Sequence, residues 1–205
     1  AVESDYTGQA LITPDANNVI YVSTESKGDK NGSSWDNATS QLQTAMNLAM
    51  TMEPQPEIWI KKGSYTFANK NAWSMISIMP GTKLYGGFNG DENPSTFNKD
   101  DRDLFTNKTI LDAKNEARFI DQLTDFENDK KAVIDGFTVK NGNAEGFYVS
   151  RVPSSLTAAF EDEFVGGALR LKDNVTVSHC DIYNNVSNNG GAIYTQGGND
   201  IISHC

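Results

Sequence analysis

The chain is 205 residues long, enough for one domain of ordinary size with a substantial core. Charged residues make up 21% and hydrophobic residues 38%, which excludes a disordered chain; 17 basic against 27 acidic side chains leave a net charge of −10. That charge repels a phosphate backbone and an anionic bilayer surface, so nucleic acid and acidic membranes are not expected partners, and no stretch approaches the roughly 20 apolar residues that span a bilayer.

Residues 1–18 read as a polar N-terminal segment with weak patterning. Val19-Ile20-Tyr21-Val22 is the first clear strand, and residues 26–37 form a loop rich in Gly, Asn, Asp and Ser. A helix follows over 40–52, with Thr39 or Ser40 as N-cap. Leu42, Ala45, Met46 and Ala49 form one apolar stripe at i, i+3, i+4 and i+7, and Pro54 and Pro56 stop the helix. Ile58-Trp59-Ile60 is the next strand, and Lys62-Gly63-Ser64-Tyr65 turns a corner.

Short β-prone runs then recur: 75–78, 83–85, 109–111, 133–134, 137–139, 168–171, 175–177 and 193–194. Gly and Asn punctuate them. A sandwich calls for longer alternating strands joined by hairpins. The chain repeats internally instead. Gly166-Gly167-Ala168-Leu169 returns as Gly190-Gly191-Ala192-Ile193, 24 positions on, and Val177-Ser178-His179-Cys180 returns as Ile202-Ser203-His204-Cys205, 25 positions on. A looser copy aligns the run from Val133 with the run from Val177, which puts Asp135 opposite His179.

Three short strands and three turns need about 20–25 residues, and no such coil can bury its inner face alone, so coils must stack. The expectation is an all-β chain: a right-handed parallel β-helix over 19–205, with a helix cap at about 39–52 and coils at about 58–205. The last coil breaks off where its preceding copy runs on. The expectation is that the chain is the N-terminal part of a longer solenoid, or that another chain packs end to end against its C-terminal coil.

Two regions carry a family resemblance. Ile20-Tyr21-Val22-Ser23, Gly28-Asp29-Lys30-Asn31-Gly32, Trp35-Asp36-Asn37-Ala38, Leu42-Gln43-Thr44-Ala45 and the run Ile58 to Tyr65 resemble the opening of secreted right-handed β-helix proteins. That opening is shared by pectate-lyase-like enzymes and non-enzymatic surface proteins. Leu84-Tyr85-Gly86-Gly87-Phe88-Asn89-Gly90-Asp91-Glu92, with Arg102-Asp103 and Thr109-Ile110-Leu111-Asp112, resembles bacterial polymorphic-outer-membrane-protein-like and adhesin-like repeats. The resemblance implies the fold and a secreted or cell-surface, outer-membrane-associated setting. It says little about chemistry, since one fold hosts many functions.

The His-Cys pairs 179–180 and 204–205 do not make a zinc site, because neighbours on a strand face opposite ways and four ligands cannot converge. A cysteine ladder inside and a histidine ladder outside, or the reverse, is expected instead. The parallel Cβ atoms of such a ladder suit a disulfide poorly, so Cys180 and Cys205 are expected on neighbouring coils as free buried thiols. No cofactor is expected; calcium is the one ion the acidic run from Asp91 to Asp103 could take. The lyase-type bases Lys140, Arg151, Arg170 and Lys172 are scattered, with no cluster of acids one coil away, and no catalytic residue is assigned. The insertion 142–165 interrupts the repeat and carries Phe147, Tyr148, Arg151 and Phe160, the candidate ligand-binding residues. The leading expectation is a non-catalytic extracellular β-helix for surface adhesion, glycan contact or surface assembly, with a surface glycan or another surface protein as partner. A polysaccharide lyase or hydrolase and a structural spacer are the alternatives.

Overall fold

The computed structural model describes residues 11–67, 74–127, 129–145 and 165–205. They form short strands and one α-helix. In chain order these are β1 (Val19–Val22), α1 (Leu42–Ala49), β2 (Glu57–Lys61), β3 (Gly63–Tyr65), β4 (Ser74–Ser77), β5 (Lys83–Phe88) and β6 (Thr109–Asp112). Then come β7 (Arg118–Asp121), β8 (Ala132–Asp135), β9 (Phe137–Lys140), β10 (Asn143–Ala144), β11 (Leu169–Leu171), β12 (Val175–Ser178), β13 (Asp181–Tyr183), β14 (Val186–Ser187), β15 (Ile193–Thr195) and β16 (Ile201–Ser203). No helix among the described residues is long and apolar enough to cross a membrane.

The named strands pair in parallel, in three main sheets. The first runs β1-β2-β5-β8-β12-β16, the second β3-β6-β9-β13 and the third β4-β7-β11-β15, with β10-β14 as a small fourth. The chain visits the first, second and third sheets in turn, then returns to the first one strand further along. Parallel strands cannot be joined by tight hairpins, which is why consecutive strands lie in different sheets.

One inward position per strand builds the core. Register stacks Ile20, Ile58, Leu84, Ile134, Val177 and Ile202 in the first sheet. It stacks Tyr65, Leu111, Val139 and Ile182 in the second, and Ile76, Ile120, Leu169 and Ile193 in the third. These ladders meet in one apolar cluster, with Ile182 and Ile193 partly buried against it and Ile202 exposed. Each fully buried side chain contributes about 1.5–3 kcal/mol of transfer free energy. On the outer face of β1, β2 and β5 a second cluster gathers Tyr21, Trp35, Trp59, Phe88 and Phe97, with Trp59 stacked on Phe88 at 4.4 Å.

The apolar stripe of α1 is buried as expected: Leu42, Ala45, Met46 and Ala49 all face inward. The helix is shorter than its 40–52 pattern, and its N-cap is Gln41 without a side-chain bond. Thr39 is held elsewhere: it pairs with Val22, and its hydroxyl takes the Gln41 N–H at 3.1 Å. The helix also serves a sheet. The Gln43 side chain takes the Ser77 N–H at 2.8 Å and donates to the Ser77 carbonyl at 3.0 Å, satisfying backbone groups of β4, the terminal strand of the third sheet. The polar N-terminal segment also joins the body, since Ile12 is buried in the core and Asp15 accepts from the Tyr21 hydroxyl at 2.9 Å.

Two sequence readings are corrected, and one strand is added. Residues 63–65 are strand β3 rather than a corner. Strand β7 lies where the sequence named no run, with Arg118 and Asp121 flanking Phe119-Ile120. Both charges are buried: Arg118 donates to Asp121 at 3.1 Å and to the Val165 carbonyl, and Arg170 donates to Asp121 at 2.7 Å. The looser repeat is off by one residue: Asp135 pairs with Ser178, not His179. The exact repeats hold, with Leu169 paired to Ile193 and Ser178 to Ser203.

Candidate functional site

Residues 89–108 leave the strand pattern between β5 and β6, and local hydrogen bonds shape them. The Glu92 carboxylate accepts N–H bonds from Asn89, Gly90 and Asp91. Trp35 Nε1 donates to the Glu92 carbonyl at 3.1 Å. Arg102 is a deeper anchor. Its guanidinium donates to the Gly86 carbonyl at 2.7 Å and forms a buried ion pair with Asp135. Just beyond it, Asp103 accepts the backbone N–H groups of Phe105 at 3.1 Å and Thr106 at 2.9 Å. This turn carries the Phe105 ring outward, where it is 86% exposed.

Phe105 stands between two grooves. One, of about 270 Å³, is lined by Lys108, Asp181, Phe137, His179 and His204 as well as Phe105. The other, of about 460 Å³, is lined by Glu25, Lys61, Lys62, Lys108 and Phe105. Lys62 Nζ is steered by two neutral amide oxygens, Asn89 Oδ1 at 2.5 Å and Asn107 Oδ1 at 3.2 Å. Lys108 Nζ lies 5.7 Å from the Phe105 ring centre and 3.8 Å from Asp181. Lys61 sits 3.7 Å from Glu25. In a chain of net charge −10, the cations gathered at this aromatic ring outnumber the acids beside them.

The inner wall of the smaller groove rests on Asp135. Burial opposes ionisation of this carboxylate, but hydrogen bonds from Ser178 and His179 and the Arg102 guanidinium outweigh it and hold its pKa below the ordinary value. Ser178 Oγ donates to Asp135 Oδ2 at 2.5 Å, and His179 Nδ1 lies 2.8 Å from the same oxygen. An ionised carboxylate only accepts, so Nδ1 carries the proton and a neutral His179 keeps its lone pair on Nε2. Both Ser178 and His179 bond the carboxylate itself, which is not the nucleophile–base–acid relay of a serine hydrolase.

The four residues singled out from the sequence, Phe147, Tyr148, Arg151 and Phe160, lie outside the described residues. Lys140 and Arg170 are each paired with a single acid one strand away: Lys140 lies 3.5 Å from Asp112, and Arg170 is buried against Asp121. Strand register sets both pairs, and neither cation is left to abstract a proton. In the acidic run, Glu92 and Asp103 are bonded to backbone N–H groups, and among the described residues no three His, Cys, Asp or Glu side chains converge as a metal set. The ladder is as expected, with Cys180 in the core and the His179 and His204 rings stacked at 5.0 Å, although Cys205 is exposed rather than buried.

Sequence reasoning missed Phe105 and Lys108 because they fall where the repeat is broken, and Lys62 because it read only as part of a corner. The usable signal was Asp103, whose turn-forming position two residues ahead of an aromatic marks a presented side chain. No protein-family model matches the chain, and no curated protein or solved structure matches it.

Proposed function

We propose that this chain is a right-handed parallel β-helix with α1 as its N-terminal cap, and that it is a non-catalytic module of a secreted or cell-surface protein that binds a carboxylate-bearing glycan. Three parallel sheets visited in fixed order support the solenoid, and the Gln43 bonds to β4 support the cap. The observation that carries the binding role is Phe105, 86% exposed between a groove lined by Lys61, Lys62 and Lys108 and a smaller one that shares Lys108. A bare aromatic ring offers a stacking platform for a sugar face, and the lysines attract acidic groups.

The test is calorimetry and direct binding against panels of uronate-containing and neutral polysaccharides. Saturable binding of the acidic panel that weakens with salt is the expected outcome. Equal affinity for the neutral panel, or no binding to either, overturns it. A lyase reading has one observation in its favour, the Asp135-held His179 on the groove wall with Nε2 free to take a proton. Following unsaturated-product absorbance in the same samples separates the two readings.

A further inference from the structure

The corner that leads into the second sheet stacks one residue from each of four successive strands in a single column. Gly63 pairs with Thr109 and Thr109 with Phe137, so the residues just ahead of them, Lys62, Lys108 and Gly136, follow one another. Ser178 pairs with Asp135, which sets His179 beside Gly136. The corner backbone agrees, with Gly136 at φ 82° and His179 at φ 50°. Consecutive members stand one strand spacing apart, about 4.8 Å. The two grooves follow this column. The larger reaches from Lys62 and Gly63 to Lys108, and the smaller from Lys108 past Gly136 and Thr138 to His179. Phe105 and Lys108 line both, so the grooves join end to end along the stacking direction. From Lys62 to His179 is three spacings, about 14 Å. That track is longer than one sugar ring and suits a short linear oligosaccharide.

Charge is graded along the track. At one end Lys61, Lys62 and Lys108 face a single acid, Glu25, which lies 3.7 Å from Lys61. In the middle Gly136 contributes no side chain, and a Cβ there would lie 3.0 Å from Arg102, Leu104 and the Gly86 carbonyl. At the other end are Thr138, the His179 ring with Nδ1 turned to Asp135 at 2.8 Å, and Asp181. Asp181 faces away from the core, because its neighbour Ile182 packs against the apolar cluster. Its carboxylate lies 3.8 Å from Lys108 Nζ and offsets that lysine on the His179 side. The track thus attracts a carboxylate at the Lys62 end and opposes one at the Asp181 end.

We propose that the joined grooves select a mixed-charge oligosaccharide, in which a uronate adjoins a neutral sugar, and that Asp181 sets this choice by repelling a second carboxylate. The proposal rests on the glycan-binding reading above and names the glycan class. The uronate sits over Lys62 and Lys108, and the Phe105 ring stacks on a sugar face where the grooves meet. The neutral sugar lies over Gly136 and offers its hydroxyls to Thr138 and to Nε2 of His179. Specificity comes from a repulsive element placed beside an attractive one.

The test is calorimetry on the whole chain with three sets of tetrasaccharides: all uronate, all neutral, and uronate alternating with a neutral sugar. The alternating set should bind tightest, the all-uronate set next and the neutral set weakest. Asp181→Asn removes the repulsion at an outward-facing position. It should raise affinity for the all-uronate set by about two- to fivefold, the size of an exposed charge interaction, and narrow the gap between the two acidic sets. Lys62→Gln should weaken both acidic sets alike and leave their ratio unchanged. All-uronate chains that bind wild type as tightly as alternating ones, or a ratio that Asp181→Asn does not move, would overturn the proposal while leaving the glycan reading in place. Binding of none of the three sets, or tightest binding of the neutral one, would overturn both.

Discussion

The inner ladders and the 89–108 excursion hold themselves together by different means. Along the ladders, one aliphatic residue per strand sits on the next, and register alone specifies the contact. In the excursion almost every constraint is a single polar tether: Glu92 on three N–H groups, Arg102 on Asp135, Asp103 on the turn that lifts Phe105. The first arrangement yields stability spread over many equivalent positions. The second yields little stability, but it fixes a few side chains toward solvent. Asp135 joins the two, because it ends strand β8 and anchors the excursion.

Removing that joint should have the largest effect. Asp135→Ala leaves the buried Arg102 guanidinium unpaired, which costs about 3–5 kcal/mol. Urea unfolding measures it, and ligand binding should fall as well because the excursion loses its anchor. Ile134→Ala, one residue earlier in the ladder and fully buried, should cost about 2–5 kcal/mol. It should leave binding intact below the unfolding transition. If Ile134→Ala weakened binding as much as Asp135→Ala, the separation of core and excursion would fail.

Acid should show the same joint at smaller amplitude. The Asp135 carboxyl titrates below the ordinary Asp value of about 3.9. A carboxyl depressed in the folded state stabilises the protein fully above the unfolded value, and that contribution is lost as pH falls through the folded one. Asp112 acts with the same sign: burial opposes its charge, but bonds from Asn141, the Lys114 N–H and Lys140 outweigh it. Urea midpoints should therefore hold above about pH 4 and drop below it. Asp135→Asn should flatten that drop, and an unchanged profile would show that the network contributes nothing.

The ladders were legible in the sequence because an exact repeat carries its own register: Gly166 to Leu169 against Gly190 to Ile193, and Val177 to Cys180 against Ile202 to Cys205. The looser copy slipped by one because its corner is made by different residues. Gly136 at φ 82° stands where His179 and His204 stand at φ 50° and 53°. Glycine adopts that backbone freely and histidine does so at a cost, so hydrophobic matching alone missed the equivalence. Strand β7 was hidden for a related reason, since its Asp121 is neutralised by Arg118 on the same strand and by Arg170 of β11, a pairing complete only once β7 and β11 lie side by side. The presented ring of Phe105 was illegible because nothing periodic surrounds it.

Phe105→Ala should have the smallest effect on stability and is the most direct test of the division between scaffold and groove. Surface substitutions away from special features stay within about 0.5 kcal/mol, so the urea midpoint should not move. Losing an aromatic anchor at the centre of a contact costs about 2 kcal/mol or more, so affinity for the carboxylate-bearing glycan should fall at least about tenfold by calorimetry. Unchanged affinity with an unchanged midpoint would contradict the assignment of the grooves as the binding site.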